Sequence, residues 1–176
     1  MKIFLTGDVQ VGKTTIIRNF LSQTGLLADG FMTYWVDAAD GAGTKDLFLA
    51  DYGAAAKTSE GHWIARRGEG IRLKQSDGTT KVFETYGTKI LERSGKRDIV
   101  IMDELGFLES DALRFQNAVM RHLSLKLPVL GVIKPFQSDF LDAVRSHPEV
   151  ALKEVTKENR DTVPGWLLKQ PFYRKD

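Results

Sequence analysis

Gly7-Asp8-Val9-Gln10-Val11-Gly12-Lys13-Thr14 matches G-x-x-x-x-G-K-[ST], the Walker A phosphate-loop signature, at every fixed position. The apolar run Ile3-Phe4-Leu5 precedes it and reads as a buried strand. Ile16, Ile17, Phe20 and Leu21 follow it at the spacing of one helix face. Strand, loop and helix in that order form the setting in which the motif has physical meaning. Backbone N–H groups of such a loop converge on phosphate oxygens, and the positive end of the helix strengthens the attraction. Gly7 and Gly12 permit backbone angles and a close approach that a Cβ would forbid. Lys13 is expected to neutralise the β- and γ-phosphates, and the Thr14 hydroxyl to ligate Mg²⁺. Residues 7 to 14, with Thr15 beside them, therefore predict binding of a nucleoside triphosphate, ATP or GTP.

Asp98-Ile99-Val100-Ile101-Met102-Asp103-Glu104 is the second decisive segment. Its four consecutive apolar residues read as a strand covered on both faces, as in a parallel sheet between helices. Ligands of such sheets sit beyond the carboxyl ends of the strands, so Asp103 and Glu104 should face the crevice of the phosphate loop. Asp103 (Walker B) is the expected Mg²⁺-side carboxylate, opposite Thr14. Glu104, one residue further on, is placed to orient a water and accept its proton. The gap between the motifs leaves room for an additional strand, which favours a hydrolase with an Asp-Glu pair over a guanine-nucleotide switch. The Asn-Lys-x-Asp tetrapeptide of such switches does not occur.

The rest of the chain fits one domain, residues 1 to 176. Apolar residues make up 42% and charged residues 27%, an ordinary profile for a globular chain. A net charge of +2 is too mild to argue for a nucleic-acid surface. With no cysteine, disulfides and thiolate metal sites are excluded. No run has the length of a membrane helix, and the first residues do not read as a signal peptide. The expected setting is the cytoplasm, away from membranes, with protein partners undefined.

Periodicity predicts a first helix from about Lys13 to Gln23, stopped by Gly25. Strands are expected at Gly30–Val36, Leu47–Leu49, His62–Arg66 and Ile71–Lys74, with a loop over 53–61. Helical patterns cover Lys81–Ser94 and Ser110–His122, the latter with Leu113, Phe115, Val119 and Met120 towards the core. Beyond them come a strand at Val129–Ile133, a helix at Ser138–Ser146 and a strand at Val150–Val155. A last helix, Glu158–Gln170, should break at Pro164 and Gly165. The fold class that results is α/β, a single-domain P-loop NTPase. Its mainly parallel sheet is flanked by helices, with an antiparallel β-rich insertion or edge around residues 30–75.

Three further positions have two readings each. Lys134 precedes Pro135, so it continues its strand outward and either reaches the γ-phosphate or is an ordinary surface lysine. Asn159 and Arg160 follow a strand and either touch the base and phosphates or cap a helix. Arg66 and Arg67 either stabilise transition-state charge or are solvated.

Gly7–Thr15, Gly30-Phe31-Met32-Thr33, the run Ile101 to Glu109, Phe115 and the run Val155 to Asp161 recur in an order that resembles the small cancer-related nucleoside-triphosphatase family. The resemblance implies a RecA-like P-loop fold and slow, Mg²⁺-dependent hydrolysis of ATP, GTP and other triphosphates. It also implies that Lys13, Thr14, Asp103 and Glu104 hold the roles argued above. The chain departs from the family at Val9 and Gln10, at Phe107-Leu108 and at Tyr34-Trp35. Phosphate binding tolerates such changes, because the loop acts through its backbone. Two other classes share the loop: a P-loop kinase of a nucleotide or small molecule, and a nucleotide-gated regulatory module. Phosphate release without an acceptor, and without a partner, separates hydrolysis from both.

Overall fold

The computed structural model describes residues 1–39, 43–52, 61–68 and 71–171, and the side chains of all of these except 71 and 72. Eight strands form one sheet: β1 (Lys2–Thr6), β2 (Ala28–Asp37), β3 (Lys45–Asp51), β4 (His62–Gly68), β5 (Ile71–Gln75), β6 (Ile99–Leu105), β7 (Val129–Ile133) and β8 (Val150–Glu154). Their order across the sheet is β5-β4-β3-β2-β6-β7-β1-β8. The five strands from β2 to β8 in that order pair in parallel. β3, β4 and β5 extend the sheet from β2 in antiparallel steps. The β-rich stretch is thus a continuation of the main sheet.

Helices cover the parallel half on both faces. α1 (Lys13–Thr24) and α6 (Val163–Leu167) lie together on one side. There Ile16, Ile17, Phe20 and Leu167 pack with Ile3, Leu5, Ile101 and Val132 from the strands. α2 (Thr79–Val82), α3 (Thr88–Arg93), α4 (Leu113–Ser124) and α5 (Asp139–Ser146) belong to the other layer. Phe83, Phe115, Val119 and Leu141 meet Phe4, Phe31, Val100 and Met102 there. The apolar runs of β1, β6 and β7 are buried because both faces are covered, which is why they do not alternate with polar residues.

Two close approaches fix the centre. A Cβ on Gly30 would sit 2.0 Å from the carbonyl oxygen of Ile101, so only glycine lets β2 lie against β6 there. A Cβ on Gly7 would sit 2.2 Å from the carbonyl oxygen of Val155, just past β8.

Several boundaries differ from the sequence reading. The helix expected over Lys81–Ser94 starts at Thr79 and contains a π-helical turn, Phe83–Gly87. Gly87 sits under the Phe115 ring, where a Cβ would lie 2.9 Å from Cδ2. α4 starts at Leu113, after Ala112, and not at Ser110, whose hydroxyl donates to the Phe107 carbonyl. Leu113 is consequently exposed, while Phe115 and Val119 are core. The last helix is only Val163–Leu167, and Pro164 opens it instead of breaking it, because a first-turn N–H has no intrahelical partner to lose. Most of the loop expected at 53–61 lies outside the described residues.

Candidate functional site

The loop between β1 and α1 is built from unusual backbone. Gly7 and Gly12 have φ of 123° and 99°, and Gln10 also has a positive φ, 65°. Gly12 ends the loop in the left-handed region, and no side chain among the described residues caps α1. The first-turn amides of Lys13, Thr14 and Thr15 have no i−4 carbonyl inside the helix and remain available to an anion. The Lys13 ammonium folds back over the loop and donates to the carbonyls of Gly7 and Asp8, at 2.8 and 2.6 Å. Lys13 is only 8% exposed, and this burial lowers its pKa; the nearby carboxylates Glu104, Asp103 and Asp8 oppose the shift.

β7 lies between β1 and β6, so the strands that carry the loop and the Asp103–Glu104 pair are two strand spacings apart, roughly 10 Å, and side chains reach across between them. Asp103 is 3% exposed, with the Thr14 hydroxyl beside its carboxyl. Its Oδ2 is buried without a hydrogen-bond partner among the described residues. Burial, assisted by Glu104, pushes the Asp103 pKa up to about 6 against the Thr14 hydroxyl and the charges of Arg18 and Lys13. A hydroxyl beside a buried carboxylate with one unsatisfied oxygen fits Mg²⁺. That ion takes one or two carboxylates and completes its shell with waters and phosphate oxygens. Among the described residues no cluster of three or more His, Asp or Glu side chains offers an all-protein metal cage.

These groups share one cleft of about 590 Å³. Gly7, Val9, Gln10, Gly12, Lys13, Thr14 and Thr15 form one wall, and Asp103 and Glu104 face them. Glu104 Oε1 lies 2.7 Å from the Lys134 ammonium. Thr33 and Trp35 of β2, with Arg67 of β4, close the far end. The Arg67 guanidinium lies 4.2 Å from the centroid of the Trp35 ring. Phe107 and Phe136, with ring centroids 5.7 Å apart, form the aromatic rim.

Most residues picked from the sequence therefore meet here. Asp8 and Val11 belong to the loop itself; Asp8 contributes its carbonyl, and Val11 packs into the core below. The two arginines separate: Arg67 lines the cleft, whereas Arg66 forks onto Asp46 at 2.6 and 2.8 Å. Arg160 lines a second hollow of about 530 Å³, which shares Gly12 and Thr15 with the first. Asn159 organises its own turn, accepting from the Thr156 N–H and donating to the Glu154 carbonyl. Trp35 and Phe136 were not singled out as site residues by sequence. The signal for Phe136 was its place just past the carboxyl end of a parallel strand; that for Trp35 was the departure at Tyr34-Trp35 from the family pattern.

A parallel sheet, a phosphate loop opposite an Asp-Glu pair, and a cleft between them define a P-loop nucleotide-site protein. A family profile described as NTPase matches residues 2–168. This chain belongs to that NTPase family. Nucleoside-triphosphatase THEP1 of Hyperthermus butylicus is 30% identical over 170 residues, covering 92% of this chain and 86% of the relative. The crystal structure of THEP1 from Aquifex aeolicus superposes with a TM-score of 0.70, covering 97% of this chain and all of that one, at 23% identity. The solution structure of a human cancer-related nucleoside triphosphatase gives 0.68, with 95% of each chain covered, at 25% identity.

Proposed function

We propose that this chain hydrolyses nucleoside triphosphates to the diphosphate and phosphate, with Mg²⁺ as cofactor. The observation that carries the reading is the convergence of Lys13, Thr14, Asp103 and Glu104 on one cleft. The loop amides and the Lys13 ammonium bind the β- and γ-phosphates and draw charge towards the bridging oxygen. Thr14 and the free Oδ2 of Asp103 would hold Mg²⁺, which supplies Lewis-acid polarisation of the phosphate oxygens when bound. Glu104 orients a water at the γ-phosphorus and takes its proton as the oxygen attacks. Arg67 is the arginine the cleft offers to charge developing on the γ-phosphate. The hollow beside Arg160 is the natural place for the base; Asn19, Gln23, Arg160 and Asp161 line it with both donors and acceptors, so ATP and GTP should both serve. Slow turnover, below about 1 s⁻¹, fits a site without an arginine delivered by a partner. The cysteine-free sequence suits the reducing cytoplasm, and no helix among the described residues is long and apolar enough to cross a membrane.

The test is Glu104→Gln, assayed over a panel of triphosphates with and without Mg²⁺. The variant should keep its nucleotide affinity and lose about 10²-fold or more in hydrolysis. Hydrolysis at the normal rate by Glu104→Gln would remove the base assignment. Equal rates in Mg²⁺ and in a chelator would remove the metal.

A further inference from the structure

Lys134 stands at the end of β7, between the phosphate loop and the acidic pair, and nothing in the mechanism above uses it. Three separate devices hold it there. Its backbone N–H donates to the Leu105 carbonyl at 2.9 Å, where the β6–β7 register has shifted. Its carbonyl and that of Phe136 both accept from the Arg145 guanidinium, at 2.5 and 2.7 Å, which ties the strand end to α5. Its stem lies along Gly106, where a Cβ would sit 3.0 Å from Cδ, 3.6 Å from Cγ and 3.7 Å from Cε. The ammonium then stands 2.7 Å from Glu104 Oε1, with the Phe107 ring 5.5 Å away.

We propose that Lys134 is a catalytic residue that holds Glu104 in the cleft and exchanges that carboxylate for the γ-phosphate when a triphosphate enters. The inference rests on the hydrolase reading and adds a gate to it. While the ion pair stands, one Glu104 oxygen is occupied by a cation and is not facing water. Both side chains are about a quarter exposed, so the pair is partly screened and can be broken by a stronger anion. A terminal γ-phosphate is that anion; a diphosphate does not extend so far. Once the ammonium moves to a γ-phosphate oxygen, Glu104 is released beside the water it must deprotonate. The water oxygen then bonds to the γ-phosphorus, the bond to the β–γ bridging oxygen breaks, the proton goes to Glu104, and the diphosphate leaves with the electron pair.

The experiment compares wild type, Lys134→Met, Lys134→Arg, Glu104→Gln and the double variant Lys134→Met/Glu104→Gln. It reads ATP hydrolysis, and binding of ADP and of the non-hydrolysable β,γ-imido analogue of ATP. Lys134→Met should lose about tenfold or more in kcat. Its affinity for the imido analogue should fall while that for ADP stays within about twofold, and Lys134→Arg should restore part of both losses. The double variant should hydrolyse no more slowly than Glu104→Gln alone, because the two residues act as one unit. The proposal is overturned if Lys134→Met keeps its kcat, if it loses ADP and analogue affinity equally, or if its loss adds in full to that of Glu104→Gln. The binding comparison needs no turnover, so it stands or falls separately from the assignment of Glu104 as the base.

Discussion

Glu109 is fully buried, yet it is a carboxylic acid among apolar neighbours such as Leu108 and Ala112. Its carboxyl accepts the Gly106 N–H and so closes the turn that follows Glu104. Burial pushes its pKa from an ordinary 4.5 up to about 7; Glu104 raises it further, and the Gly106 bond and Lys134 oppose the shift. The folded chain therefore holds a proton that the unfolded chain has lost between about pH 4.5 and 7. Stability from this group is fully present below pH 4.5, declines as pH rises towards 7, and is then level. The amplitude is at most on the order of 3 kcal/mol. Glu109→Gln keeps a carbonyl oxygen for Gly106 and removes the titration. Subtracting its unfolding free energy from that of wild type across pH 4 to 8 should leave a curve that falls with rising pH. A flat difference would show that Glu109 is not held protonated.

At the scale of single elements, β7 is the strand that both halves of the site depend on, because it separates β1 from β6. Gly131 at its centre lies under the Phe4 ring, and a Cβ there would meet Cε1 at 2.5 Å and the Met102 carbonyl oxygen at 2.8 Å. The ring can shift but the backbone oxygen cannot without moving β6. Gly131→Ala should cost about 1–3 kcal/mol, as overpacking does. It should also weaken triphosphate binding, since the Asp103 side moves relative to the loop. Denaturant midpoint and nucleotide affinity measured on one preparation check both; a stability loss with unchanged affinity would show that the strands adjust without disturbing the site. Elements such as β1, β6 and β7 were legible in the sequence because burial on both faces leaves a continuous apolar run. The loop was legible because its chemistry is fixed by backbone and spacing. Where α4 begins was not, since Ser110 and Asp111 look like a helix start but Ser110 spends its hydroxyl on the Phe107 carbonyl. The π-helical turn was hidden too, because it answers to the fit of Gly87 against Phe115 on another helix.

Taken as a whole, the molecule is one sheet with two halves, and the antiparallel half reaches the cleft at its far end. Trp35 pairs with Leu47, and Leu47 with Ala65, so two antiparallel steps place β4 two strands from β2, with β3 between them. That order, not sequence proximity, lets Arg67 reach across β3 to lie over the Trp35 ring, which is why the sequence could not choose between Arg66 and Arg67. The stack is partly exposed and is worth about 0.5–1 kcal/mol, so it is a small part of what stabilises the fold. Its consequence should be catalytic. Arg67→Ala removes a positive charge from the cleft wall opposite the loop while leaving Lys13, Thr14 and the loop amides in place. Nucleotide affinity should change by less than about threefold and kcat should fall by about tenfold or more, the pattern of a contact made as charge develops. Arg66→Ala is the internal control: it breaks the fork onto Asp46, so it should lower stability without lowering kcat per folded molecule. If the two variants lose kcat equally, the antiparallel half acts on the cleft only by supporting it, and Arg67 has no separate part in the chemistry.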